Sequence, residues 1–336
     1  MGRYLDITDN KKQAKYLIAK TIPVKLPKSG EKLWEIHDSK MKEFRKKLKE
    51  FDKGRGKLKF ADFSLIDLKL EIAKRILIKC EFCERKCGVD RAKGGKGFCG
   101  LGSKSLLSSE FIHNGEEASI IPSHTFFFMG CNFYCIYCQN WTISRQKERG
   151  TEVRGKELAE LAGRKAHLSR NINLVGGDPT PNLHTILEML KFMDINKPIV
   201  WNSNMYLSKK SMRLLEGMVD VYLADFKYGN DRCAKKLSKV PDYWKTMTRN
   251  YLLAKKQAEI LIRHLVLPNH LECCTSRILK WTGKNLDNKI RMNIMDQYHP
   301  EFEVFEFKGM CRRVNQGEME RAFELAKENG ISNLEP

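Results

Sequence analysis

The chain has 336 residues, with 61 Lys and Arg against 41 Asp and Glu, a formal net charge of +20 and 42% apolar residues. That length suits one large α/β domain with smaller additions, and the apolar share is ordinary for a globular protein. No apolar run approaches the roughly 20 residues a membrane span needs. The opening MGRYLDITDNKK has no apolar signal core, and Asp6 stands where myristoylation wants Ser or Thr, so a cytoplasmic protein with no membrane attachment is expected.

The positive charge is uneven. Residues 1–60 hold 18 Lys and Arg against 8 Asp and Glu, half of the whole excess. Such a surface attracts polyanions, whether RNA, DNA or an acidic protein, or is simply a solvated, lysine-rich helical face. The second reading is the simpler one, so a nucleic-acid partner is left open without being favoured. Residues 1–75 are expected to form a basic helical extension. In KMKEFRKKLKEF (40–51), Met41, Phe44, Leu48 and Phe51 recur at helical spacing. DKGRGK (52–57) reads as a loop, and FSLIDLKLEIAKRILIKC (63–80) as a second helix.

That helix runs into the first of two cysteine groups, expected as a knuckle over 76–112. Of eleven cysteines, four follow the spacing Cys80-x2-Cys83-x3-Cys87-x11-Cys99. Without a secretory signal, tight grouping points to metal rather than disulfides. Four thiols at this spacing suit zinc or an auxiliary iron–sulfur cluster, and spacing alone does not separate the two. The knuckle serves either as a clip for the N-terminal segment or as a docking point for substrate or reductant. Cys233, Cys273, Cys274 and Cys311 are scattered and read as unpaired packing residues.

From about residue 120 strands and helices alternate. The strands are SHTFFFMG (123–130), NINLV (171–175), PIVWNS (198–203), VDVYLADF (219–226), ILIRHLVL (260–267) and KIRMNIMDQ (289–297). Between and after them, helices are expected over 156–169, 184–193, 208–218, 242–259, 273–283 and 318–330. Six β/α units with short, continuously apolar strands imply a parallel sheet covered by helices. The expected fold is therefore α/β, a partial (β/α)6 TIM-like barrel over 113–336. In such folds, chemistry collects at the C-terminal ends of the strands.

The polar motifs fall there. Cys131-Asn-Phe-Tyr-Cys135-Ile-Tyr-Cys138 directly follows the first strand. Three thiolates on one loop can hold three irons of a cubane and leave the fourth open. The alternative is a zinc site that recruits a distant fourth ligand. The next strand ends in Gly176-Gly177-Asp178-Pro179, where paired glycines allow close approach to the backbone and a carboxylate can pair with an ammonium group.

With these motifs in place, the chain resembles the radical S-adenosylmethionine enzymes, and within them the activating enzymes of pyruvate formate-lyase and other glycyl radical enzymes. The likeness begins near Cys80 and runs to the C-terminus, through the cysteine loop, CQNWTIS, PIVWNS, VDVYLADFKY, LSKVPDYW, IRHLVLPN and MDQYHP. It implies a [4Fe–4S] cluster on Cys131, Cys135 and Cys138, with S-adenosylmethionine as cofactor. It also implies Tyr137 near the adenine, and Gly176, Gly177 and Asp178 at the methionine amino group. Asp178 replaces the usual Glu and is one methylene shorter. Asn202 and Ser203 match an acidic-then-hydroxyl pair, where Asn weakens any cation site. Asp225 and Lys227, Arg263 and Leu265, and His299 match residues around the cofactor. Without the likeness, Asp225 and Lys227 read as an ion pair, His264 as a packed strand residue and His299 as a loop residue.

Three functions are weighed. The first is activation of a partner enzyme by forming a glycyl radical, with a ferredoxin or flavodoxin as reductant, in anaerobic chemistry. The second is the same radical chemistry on another peptide, an RNA or a small molecule. The third is a non-catalytic zinc protein that binds nucleic acid.

Overall fold

The computed structural model describes residues 1–26, 32–286 and 290–335. Four helices lead: α1 (Gly2–Thr8), α2 (Lys15–Lys20), α3 (Leu33–Asp52) and α4 (Leu65–Ile78). The sheet then begins with β1 (Ser105–His113) and β2 (Ser123–Phe128), followed by α5 (Trp141–Ser144), β3 (Thr151–Val153) and α6 (Gly155–Arg164). Regular alternation takes over with β4 (Asn171–Gly176), α7 (Leu183–Phe192), β5 (Ile199–Ser203), α8 (Lys209–Leu215) and β6 (Val221–Asp225). The last part holds α9 (Asp231–Ser238), α10 (Tyr243–Gln257), β7 (Glu259–Leu265), α11 (Ser276–Asn285), β8 (Arg291–Met295) and α12 (Gln316–Glu328).

The eight strands form one sheet in the order β3-β1-β2-β4-β5-β6-β7-β8. The six strands from β2 through β8, β3 aside, pair in parallel, and β1 and β3 add an antiparallel edge. This is the partial barrel expected from the alternation, open rather than closed. Among the elements that went unread are β1, β3, α5 and α9. β1, with its polar and half-buried pattern, takes the sheet back to Ser105, ahead of the expected boundary at 113. Helix α9 is short and polar, so its apolar period is weak. The strand expected from 289 starts outside the described residues at that position and is seen from Arg291. No described helix is long and apolar enough to cross a membrane.

Alternate residues of each strand face the barrel interior, and they stack in three tiers. At the base, Val200, Val221, Leu223 and Leu261 pack with Ile120 and with Tyr4 of α1. Helix α1 thus stoppers the N-terminal ends of the strands. Arg3 reinforces it with an ion pair to Asp220 at 3.0 Å. The middle tier is polar. Glu116, from the β1–β2 loop, accepts from Asn173, Asn202 and Arg263 at 3.2, 3.2 and 3.0 Å. Its neighbour Glu117 accepts from Asn293 of β8 at 3.2 Å, which spans the open side of the barrel. The top tier, with Val175, Asp225, Leu265 and Met295, borders a cavity.

The basic extension packs as an outer layer. Phe44 of α3 lies against Gly217, where a Cβ would come within 3.0 Å of its ring. Lys69 of α4 is fully buried and donates to His37 of α3 and to the Arg213 and Leu214 carbonyls of α8, each at 3.0 Å. Burial pushes Lys69 down to about 7 from 10.5. Between those values the unfolded chain binds a proton that the folded chain has shed. Stability should therefore rise with pH across that window, by up to about 1.4 kcal/mol per pH unit. Urea denaturation at pH 7 and pH 9 should show the rise in the native chain and its loss in Lys69→Met.

Candidate functional site

The loop after β2 carries Cys131, Cys135 and Cys138, and all three border one cavity of about 230 Å³ at the C-terminal ends of the strands. Each sulfur has a polar neighbour. The Phe133 amide reaches Cys131 Sγ at 3.4 Å and Asn204 Nδ2 reaches it at 3.8 Å. Ser238 Oγ donates to Cys135 Sγ at 3.0 Å, and Ser144 Oγ lies 3.5 Å from Cys138 Sγ. Such donors stabilise a ligating thiolate and tune an iron–sulfur centre. The loop itself rests on the end of α9, whose Ser238 and Leu237 carbonyls accept from the Tyr134 and Ile136 amides at 2.9 and 3.0 Å.

These thiols fit a cluster better than a single ion. Tetrahedral zinc with bonds of about 2.3 Å holds its sulfurs only about 3.8 Å apart. Among the described residues the one grouping of three such ligand atoms all within 4.8 Å lies elsewhere. The three thiols of the loop therefore ring the cavity without converging on a point.

The cavity wall holds most of the expected residues. Gly176, Gly177, Asn202, Ser203, Asp225, Lys227, Arg263, Leu265 and Tyr137 all border it. The glycines have a packing reason as well as a binding one. A Cβ on Gly176 would fall 2.0 Å from the Phe128 carbonyl, at a φ of +136°, and one on Gly177 would fall 2.3 Å from the Gly130 carbonyl. Asp225 and Lys227 do form an ion pair, at 2.8 Å. Arg263 joins it, binding Asp225 at 2.9 Å and the Asn202 amide oxygen at 2.5 Å. Burial pushes Asp225 up, but the Arg263 and Lys227 charges outweigh it and hold the carboxyl below its usual range. The cavity is thus lined by a fixed carboxylate and fixed cations. These groups can bind the ammonium, carboxylate and hydroxyl groups of a zwitterionic nucleoside.

Three placements correct the sequence reading. Asp178 does not reach into the cavity. It is 1% exposed, and its two oxygens accept the Thr180 and Asn204 amides at 2.9 and 3.0 Å. The missing methylene, together with the turn that follows, makes it a backbone brace, and burial raises it to about 6. His299 lies outside the cavity at its rim, where Gln139 Nε2 reaches its Nδ1 at 3.0 Å. Of the four scattered cysteines, Cys311 is exposed rather than packed. Cys233, Cys273 and Cys274 are free thiols, as expected, but they are not scattered, with Sγ separations of 3.7 Å from Cys233 to Cys273 and 3.9 Å from Cys273 to Cys274. His264 is a packed strand residue, bonded to the Phe226 carbonyl and to Thr275.

Ser238, Ser144, Asn204, Tyr228, Met295 and Gln297 were missed. Ser238 sits in the LSKVPDYW segment and Asn204 directly follows the matched Asn202 and Ser203, so likeness marked their neighbourhood without assigning them a role. Tyr228 links the site. Its hydroxyl is 2.7 Å from Tyr137 Oη and 2.5 Å from Ser238 Oγ, giving a hydroxyl chain that ends on Cys135. Tyr137→Phe should cost about 1 kcal/mol in urea denaturation while keeping the ring that borders the cavity.

The four-cysteine knuckle abuts the loop. Cys80, Cys83, Cys87 and Cys99 border one small pocket together with Asn132. Arg85 ties the knuckle down, donating to the Asn132 carbonyl at 2.5 Å and to the Lys239 carbonyl at 2.7 Å.

Residues 125–282 match the Radical SAM superfamily. The matched stretch holds the thiol loop and most of the cavity wall. Over 340 aligned residues it is 46% identical to "Uncharacterized protein MJ0674" of Methanocaldococcus jannaschii, covering 98% of both chains, and it belongs to one family with that protein. A second protein of that organism, "Uncharacterized protein MJ0808", is 26% identical over 68% of this chain and 72% of its own. Among solved structures, Streptococcus suis SuiB bound to S-adenosylmethionine aligns at 15% identity and a TM-score of 0.43, over 62% of this chain and 47% of that one. Methylornithine synthase (PylB) aligns at 14% identity and a TM-score of 0.44, over 63% and 70%. The chain spans just under half the length of SuiB.

Proposed function

We propose that this protein binds a [4Fe–4S] cluster through Cys131, Cys135 and Cys138, and that it opens S-adenosylmethionine to generate a radical on a partner protein's glycine. The observation that carries the reading is the convergence of three thiols, the Gly176–Gly177 backbone and the Asp225–Lys227–Arg263 network on one cavity. When bound, such a cluster supplies the electron that splits S-adenosylmethionine into methionine and a 5′-deoxyadenosyl radical. The chain's own residues orient the cofactor. Asp225 and Lys227 hold its polar groups, the glycine backbone admits its methionine end, Tyr137 covers the adenine, and the apolar wall of Leu265 and Met295 keeps water from the reacting carbon. Hydrogen transfer from a glycine Cα then yields 5′-deoxyadenosine and a glycyl radical.

A protein substrate fits the rim. Phe305 is 63% exposed, and Trp141 stacks on Phe302 at 5.4 Å, beside the Gln139 and Gln297 lip of the cavity. Half-exposed aromatic rings of this kind suit macromolecular contact. An RNA substrate held by residues 1–60 fits less well, because α1 packs at the opposite end of the barrel and α3 on its outer layer. The reductant proposed is a ferredoxin or flavodoxin. The four-cysteine pocket is a second metal site, for zinc or iron–sulfur.

The deciding assay is anaerobic. The reduced, cluster-loaded protein is given S-adenosylmethionine and a glycyl radical enzyme as candidate partner, with that partner deuterated at glycine Cα. Deuterium in 5′-deoxyadenosine and a glycyl radical signal in electron paramagnetic resonance are expected. Cleavage without either would keep the radical chemistry and remove the partner-glycine reading.

A further inference from the structure

The sequence leaves Cys233, His270, Cys273 and Cys274 in two places, 40 residues apart, and the fold brings them together. Cys233 lies in the first turn of α9. The other three lie just after β7, with both vicinal cysteines inside a π-helical turn, Leu271–Thr275. A turn with one extra residue often marks a functional site. Ligand atoms of Cys233, His270 and Cys273 all lie within 4.8 Å of one another. The Cys233–Cys273 sulfur separation of 3.7 Å matches the roughly 3.8 Å that two thiolates take around tetrahedral zinc.

The surroundings are those of a metal site. His270 Nδ1 lies 2.7 Å from the Pro268 carbonyl. A carbonyl only accepts, so Nδ1 carries the proton and Nε2 keeps its lone pair, the usual arrangement for a ligating histidine. Asn230 Nδ2 donates to Cys233 Sγ at 3.3 Å and to the Cys273 carbonyl at 2.7 Å, so one side chain braces both halves. The Cys273 and His270 side chains are half-exposed, which leaves an ion a way in. Soft sulfur and imidazole donors with no carboxylate among them select zinc over magnesium or calcium.

We infer that Cys233, Cys273 and His270 hold a single zinc ion that clips α9 to the turn after β7. The clip has a mechanical consequence for the site. The far end of α9 carries Ser238, which donates to Cys135, and the two carbonyls that hold the cysteine loop. Fixing the start of an eight-residue helix fixes its end, so the zinc acts as a positioning element for the loop.

The test is metal content, and it is independent of any catalytic reading. Full-length protein is purified anaerobically, and zinc and iron are measured per chain in the native form, Cys273→Ser, His270→Gln and His270→Cys. The native chain should hold one more zinc than Cys273→Ser or His270→Gln, with iron unchanged, whatever metal occupies the four-cysteine knuckle. His270→Cys should keep the zinc. After exchange with cobalt, that variant should also gain thiolate-to-cobalt charge-transfer intensity. Circular dichroism checks folding, and if Cys273→Ser fails to fold, the half-exposed His270 variants decide. Equal zinc in the native and variant chains overturns the inference, as does loss of iron in place of zinc. A Cys233–Cys273 disulfide in the anaerobic native protein, found by non-reducing mass spectrometry, overturns it as well.

Discussion

Replacing Cys135 with alanine should reduce 5′-deoxyadenosine formation to background while leaving the barrel folded. Among the described residues, the three thiols of the loop are the only cysteines that border the cavity at the strand ends, and a three-ligand cluster has no spare protein ligand. Folding should survive because the loop is held by its backbone. The Tyr134 and Ile136 amides bond to the end of α9, and removing one sulfur leaves those bonds intact. The loss of packing should cost about 1–2 kcal/mol. Cys311→Ser is the control, since that thiol is exposed and outside the cavity, and it should retain full product. The measurement is product by chromatography under anaerobic reduction, beside a thermal melt. Product at native levels from Cys135→Ala would place the cofactor elsewhere.

Arg263→Met should be the most damaging change within the barrel interior. Among the described residues, Arg263 is the one cation that touches Glu116, Asp225 and Asn202 together, and its side chain is only 16% exposed. Removing one partner of a buried pair leaves an uncompensated charge and costs about 3–5 kcal/mol. The pH dependence should also change. In the native chain Asp225 is held below its usual range, so its contribution is present above about pH 4 and is lost as pH falls through the lower folded value. Without Arg263, Asp225 has Lys227 alone to offset its burial, and its ionisation becomes less favourable. Arg263→Met should therefore lose melting temperature as pH rises from 5 to 8, a window in which the contribution of Asp225 to the native chain is constant. Parallel slopes in the two proteins would show that Arg263 is not the group that holds Asp225 ionised.

The residues that were legible in the sequence share a reason. Parallel strands covered on both faces are largely apolar, so β2 and β4 to β8 announced themselves, and the strand ends then located the cysteine loop and the Asp225–Lys227 pair. β1 was hidden because an antiparallel edge strand exposes one face and carries polar residues such as Ser108, Ser109 and Glu110. Helix α9 was hidden because only Cys233, Ala234, Leu237 and Ser238 turn inward. Asp178 was misplaced because a motif specifies residue type and not the direction of a side chain, and here two backbone amides captured the carboxylate. The grouping of Cys233 with His270, Cys273 and Cys274 had no local signal, since it exists only once β7 lies beside β6.

The stopper at the base of the barrel also governs the order of assembly. Arg3 and Tyr4 dock on Asp220 and Glu259 across separations of 217 and 255 residues, among the most distant contacts a chain of this size can make. Closing such a loop delays the reward for ordering it. During synthesis α1 has no seat until β6 and β7 have emerged, and until then its apolar face and the barrel floor stay wet. A nascent chain halted before Glu259 should expose Tyr4 to protease, and one halted after α11 should protect it. Filling the cysteine loop with iron would then follow closure of the floor at the other end.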